Sequence, residues 1–136
     1  MNQLCEKLTP VAFLIARVLV AYMFLLHGTA KLFEFPMSMT GGNGAVPLFS
    51  LFGIAAILEV VGGILIILGL FTRPVALLLS GQMAYAYFIF HAANEGNTLL
   101  PILNKGELAA VYSLFFLLLA FVGAGKYSLD HKRIAK

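Results

Sequence analysis

The chain has 136 residues, of which 61% are hydrophobic and 11% charged, and it carries a net charge of +3. A water-soluble domain of this size has about 25% charged residues, so most of the surface must meet something other than water. The single cysteine, Cys5, excludes an internal disulfide and a cysteine-cluster metal site, and the lack of a basic run with interleaved aromatics argues against nucleic acid as a partner.

Four apolar segments follow in chain order, over about residues 11–33, 48–71, 75–93 and 106–123. Crossing a bilayer core about 30 Å thick takes ~20 apolar residues in a helix. The first three segments reach that length, and "ELAAVYSLFFLLLAFVGAGKY" reaches it once its ends are counted. None alternates with the period of two of a membrane barrel, and lipid forces a backbone to bond to itself, so the segments are expected to be helices. The first is too long for a secretory signal and lacks a small-x-small cleavage site, so it is expected to be retained. Between them, "EFPMSMTGGNGAVP" and "NEGNTLLPILNKGE" read as loops, "GLFTRP" as a tight turn, and "GAGKYSLDHKRIAK" as a polar basic tail. The expectation is an all-α, four-helix transmembrane bundle forming one domain over residues 1–136. Lys7, Arg73, Lys126, Lys132, Arg133 and Lys136 then share the side of the termini, against Lys31 and Lys105 on the other, which predicts cytoplasmic termini.

Ionisable side chains inside such segments are costly and normally face the bundle interior. At about 100° per residue, Arg17, Ala21, Phe24, Gly28 and Lys31 form one stripe, with His27 beside it. Ala55, Ala56, Glu59, Gly62 and Gly63 share a face of the second helix. Ser80, Ala84, Tyr87, His91 and Glu95 share a face of the third, with Gln82 nearly opposite His91. Counting about 1.5 Å per residue from the terminal side puts Arg17 at ~9 Å and Glu59 at ~18 Å, a gap a long arginine spans, so Arg17–Glu59 is the first expected pair. The same count puts His27 and His91 at about 24–26 Å, with Lys31, Glu95 and Glu107 just above. The candidate pocket residues are Arg17, His27, Lys31, Glu59, Tyr87, His91, Glu95 and Glu107. Each has a plain structural reading too: Arg17–Glu59 as a register lock, and His27 with Lys31 as an interfacial pair. His91 and Glu95, four apart, make only a metal half-site, so no metal is expected. No GxSxG, P-loop, CxxC or HExxH motif is present.

In order, "RVLVAYMFLLHGTAKLF", "LEVVGGILIILGLFTRPVALLL", "AYFIFHAANEG" and "NKGELAAVYSLFFLLLAFVGAGKYSLD" resemble the DoxX family of small bacterial membrane proteins. The carrying motifs are Arg17 in the first helix, HG-x-x-K at its end, E-x-x-GG leading to LG-x-x-TRP, and G-x-G-x-x-SLD at the close. Ala124 stands where relatives often have proline. The resemblance implies a four-helix protein of the bacterial inner membrane. It further implies a link to quinones, through similarity to the quinone-linked subunit of archaeal thiosulfate oxidation.

A quinone needs an apolar slot, hydrogen-bonding groups for two oxygens and a proton path. His27, His91 and Tyr87 are candidates to line the slot, and Glu95 and Glu107 to move protons. The two histidines at matched depth are also a conceivable haem pair. The chain has no cysteine pair to pass electrons, so redox work would need a partner protein. The competing readings are a non-catalytic membrane scaffold or accessory subunit, and a small-solute carrier completed by a homo-oligomer.

Overall fold

A computed structural model of the protein describes residues 1–135. Among them the regular elements are α1 (Asn2–Phe33), α2 (Leu51–Leu68), α3 (Thr72–Glu95), α4 (Glu107–Val122) and a short α5 (Leu129–Ile134), and no residue is in a strand. The first three are long and apolar enough to cross a membrane. At 16 residues, α4 is apolar but shorter.

α1 begins at Asn2, well before the apolar stretch from residue 11, and contains Pro10. Its 32 residues measure about 48 Å and overrun a core ~30 Å thick. α2 stops at Leu68 because Gly69 takes the left-handed conformation, φ 65°, and donates to the carbonyls of Leu65 and Ile66. The polar basic tail contains α5, whose start is capped by the Ser128 hydroxyl accepting from the His131 amide at 3.1 Å.

The helices form two tightly packed pairs, α1 on α2 and α3 on α4. Glycine makes the first pair possible. A Cβ on Gly28 would lie 2.8 Å from the Ala56 carbonyl oxygen and 2.9 Å from the Cβ of Glu59, so only glycine lets α1 lie this close at the level of Glu59. The second pair is fastened by reciprocal serines: Ser80 Oγ donates to the Ser113 carbonyl at 2.8 Å, and Ser113 Oγ to the Ser80 carbonyl at 3.0 Å. Between the pairs sits a core that includes Ala21, Phe24, Ile66, Leu79, Met83, Tyr112, Phe116 and Leu119. Phe24 meets Tyr112 and Phe116 edge-on, at centroid distances of 5.1 and 4.8 Å. Large apolar side chains such as Leu19, Val61, Leu77 and Leu114 point outward from all four long helices, the pattern of a bundle whose outer solvent is lipid.

Within α3 the segment Ala86–Ala92 is a π-helix. Its wider i→i+5 turn rotates each residue through less angle than an α-helix does. Gln82 and His91, opposite one another on an ideal α-helix, are thereby brought toward the same side.

Candidate functional site

The expected Arg17–Glu59 pair does not form. Arg17 is buried, and its guanidinium donates to backbone carbonyls at the terminal end of the bundle: Ala124, Tyr127 at 2.8 Å and Ile67 at 3.4 Å. The reason is register. Gly28 of α1 abuts Glu59 of α2, and Ala21 and Leu25 abut Gly63, so Arg17 falls beside the end of α2, about two turns past Glu59.

Arg17 thus belongs to a clasp built from the two terminal motifs. Asp130 accepts from the Phe71 and Thr72 amides at the start of α3, both at 2.8 Å, and its own amide donates to Gly69 at 2.8 Å. Burial alone would raise the Asp130 carboxyl; the Thr72 and Phe71 donors and Arg133 outweigh it and hold the group below the usual carboxylate value. Arg73 donates to the Phe121 carbonyl at 2.7 Å and Ala120 at 3.3 Å, closing the end of α4. A Cβ on Gly69 would lie 2.5 Å from that of Ser128 and 3.0 Å from Arg17, so LG-x-x-TRP and the SLD tail interlock there.

Glu59 instead meets Lys31. The Lys31 ammonium donates to Glu59 Oε1 at 2.6 Å, with the two side chains 17% and 2% exposed. HG-x-x-K supplies both requirements, Gly28 for the close approach and Lys31 one turn on for the charge. Gln82, across on α3, donates from Nε2 to the same Oε1 at 3.2 Å and to the Ala55 carbonyl at 3.3 Å. Both partners are acceptors, which fixes the orientation of the amide. Glu59 Oε2 and Gln82 Oε1 are buried with no hydrogen-bond partner among the described residues.

Two cavities meet at this cluster. A cleft of about 490 Å³ runs between α2 and α3, lined by Ile54, Ala55, Leu58, Leu77, Leu78 and Tyr85 above Lys31, Glu59 and Gln82. Ile54, Leu77, Leu78 and Tyr85 are exposed on the outer surface, so the cleft opens on the face turned to lipid. A second cavity of about 310 Å³ lies where α1, α2, α3 and α4 meet and is lined by His27, Lys31, Glu59, His91, Lys105 and Tyr112, among others. Lys31, Phe52, Glu59, Met83, Ala86 and Phe90 line both.

Each histidine is oriented by a carbonyl: His27 Nδ1 bonds to Met23 at 2.9 Å and His91 Nδ1 to Asn104 at 3.3 Å. A carbonyl only accepts, so Nδ1 carries the hydrogen.

Of the sequence candidates, His27, Lys31, Glu59 and His91 come together at one cavity. Tyr87 does not. It is buried beneath the loop over residues 96–106, donating to the Thr98 carbonyl at 2.7 Å and accepting from Asn104 Nδ2 at 3.2 Å, so it pins that loop to α3. The tyrosine in the cavity is Tyr112, edge-on to His27 at 5.8 Å. Glu95 and Glu107 are exposed and line neither cavity. Among the described residues no three His, Cys, Asp or Glu side chains gather to hold a metal. Gln82 and Tyr112 are the residues missed by sequence reasoning. The glutamine within an apolar span was the available signal for the first, and nothing distinguished Tyr112 from the other tyrosines.

The family model DoxX matches residues 12–92. An uncharacterized protein of Haemophilus influenzae is 57% identical over the whole of both chains. Inner membrane protein YphA of Escherichia coli is 31% identical over 90% of this chain and 91% of its own length. Inner membrane protein YqjF of the same organism is 34% identical over 92% and 94%. No solved structure matches. A match covering more than half the chain, full-length relatives and membrane-length apolar helices carry one conclusion: the protein is a multi-pass inner-membrane protein belonging to the DoxX family.

Proposed function

We propose that the protein takes a quinone head group from the bilayer into the cleft between α2 and α3 and holds it against Lys31, Glu59 and Gln82, as the membrane subunit of an oxidoreductase system. The observation that carries this reading is the form of the cleft. Its rim is apolar and lipid-facing, its volume of about 490 Å³ lies in the range of small-molecule sites, and its floor is a buried charged cluster. A lipid-soluble ring with polar oxygens matches both halves. In the same reading the chain crosses the membrane four times, α4 being the fourth span, with cytoplasmic termini on the Lys/Arg balance. The cluster then lies toward the outer face. His27 and His91 stand beyond it as groups able to pass a proton, and a partner protein exchanges the electrons.

The test is lipid extraction of protein purified in mild detergent, followed by mass spectrometry. Quinone at a substantial fraction of one per chain, reduced several-fold in Gln82→Leu, supports the reading. Quinone-free protein that also fails to bind added quinone overturns it in favour of a non-catalytic scaffold.

A further inference from the structure

The cluster is asymmetric in what it leaves unpaired. Lys31 Nζ donates to Glu59 Oε1, Gln82 Nε2 to that oxygen and the Ala55 carbonyl, and both histidine Nδ1 atoms to carbonyls. The two atoms of the cluster that are buried without a partner are both acceptors, Glu59 Oε2 and Gln82 Oε1. Glu59 is 1% exposed and lines both cavities, and Gln82 lines the cleft. A buried acceptor without a donor costs about 1–3 kcal/mol, more when charged, and low-dielectric surroundings raise the stakes. A ligand that arrives with O–H groups removes this cost, whereas one that arrives with carbonyl oxygens adds acceptors to acceptors.

We infer that the site is selective for the reduced, hydroxyl-bearing form of the ring, a hydroquinone, over the oxidised quinone. Its hydroxyls donate to Glu59 Oε2 and Gln82 Oε1 while the tail leaves between the apolar side chains of α2 and α3. This rests on the quinone reading above and sharpens it: the chain is a quinol acceptor site. Groups that face Glu59 come from three elements, Lys31 and His27 of α1, Gln82 and His91 of α3 and Tyr112 of α4. None of them fills Oε2.

The experiment is an anaerobic binding titration of the full chain in lipid nanodiscs, using a decyl-tailed benzoquinone and the same compound reduced to its quinol. A naphthoquinone and its naphthoquinol serve as the second pair. The expected result is at least tenfold tighter binding of the quinol, with the preference falling to less than threefold in Glu59→Gln, which replaces Oε2 with an amide able to donate. Gln82→Leu, which leaves the ion pair in place, is expected to reduce the preference by a smaller factor, and it decides the matter should Glu59→Gln fail to fold. Equal affinity for both forms, tighter quinone binding, or a preference unchanged in Gln82→Leu and in any folded Glu59→Gln overturns the inference while leaving the quinone site standing. Failure of every form to bind overturns the quinone reading itself.

Discussion

The two ends of the bundle use similar side chains for opposite purposes. At the terminal end, Arg17, Arg73 and Asp130 bond to backbone groups of Ile67, Phe71, Thr72, Phe121, Ala124 and Tyr127. Such bonds tie helix ends and satisfy peptide groups that lipid could not. At the other end, Lys31, Glu59 and Gln82 bond mainly to one another, leave two oxygens idle and border two cavities. A charge spent on the backbone is architecture. A charge paired beside a void, with a lone pair to spare, is available to a ligand.

That contrast predicts an ordered series of effects. The largest falls on the clasp: Arg17→Ala should lower stability by about 3–5 kcal/mol, as for loss of one partner from a buried charged network, seen as a drop in Tm in detergent. Arg17→Lys should restore less than half, since one ammonium does not reproduce a planar fan of donors. An Arg17→Ala chain as stable as the natural one would erase the distinction between the ends. Next comes Gly28→Val, where the added carbons meet Ala56 and Glu59 and should cost about 1–3 kcal/mol by overpacking. It should also part Lys31 from Glu59, so quinone binding should weaken in titrations of the same sample.

Asp130→Asn should cost about 1 kcal/mol, the scale of a helix cap, and it carries a pH signature. The folded carboxyl lies below its usual value, so in acid the unfolded chain binds more protons than the folded one. The contribution is complete above the ordinary carboxylate value of about 4 and is lost as pH falls through the folded one. Thermal scans from pH 6 to pH 3 should show the natural chain losing this increment and Asp130→Asn lacking that part of the slope. The smallest stability effects belong to His27→Ala and His91→Ala, about 0.5–1.5 kcal/mol for one hydrogen bond each. These should reduce ligand binding more than they reduce Tm.

Much of this was readable from the chain. The stripe on α1 and the small-residue face of α2 are set by a helical period, and the structure buries Arg17, Gly28, Glu59, Gly62 and Gly63 accordingly. His27 and His91 share a cavity as their matched depths implied. Vertical stagger was not readable. Depths were counted from helix ends, α1 begins nine residues earlier than the apolar pattern does, and the contact at Gly28 sets the true register, so Arg17 was assigned the partner that belongs to Lys31. Gln82 was hidden by a different cause: no α-helical wheel contains a π turn. Tyr87 was preferred to Tyr112 because it shares a face with His91, yet that face is covered by the loop Asn104 anchors.

The most direct test replaces the ion pair as a unit, Lys31→Met with Glu59→Leu, and measures Tm and quinone affinity on the same nanodisc sample. Swapping a buried pair for apolar side chains of similar size is commonly neutral or stabilising by about 1–4 kcal/mol. A cluster kept for a ligand should therefore yield a protein at least as stable as the natural chain that has lost quinone and quinol binding by tenfold or more. A double variant that melts as early as Arg17→Ala, or one that binds as the natural chain does, would contradict the account.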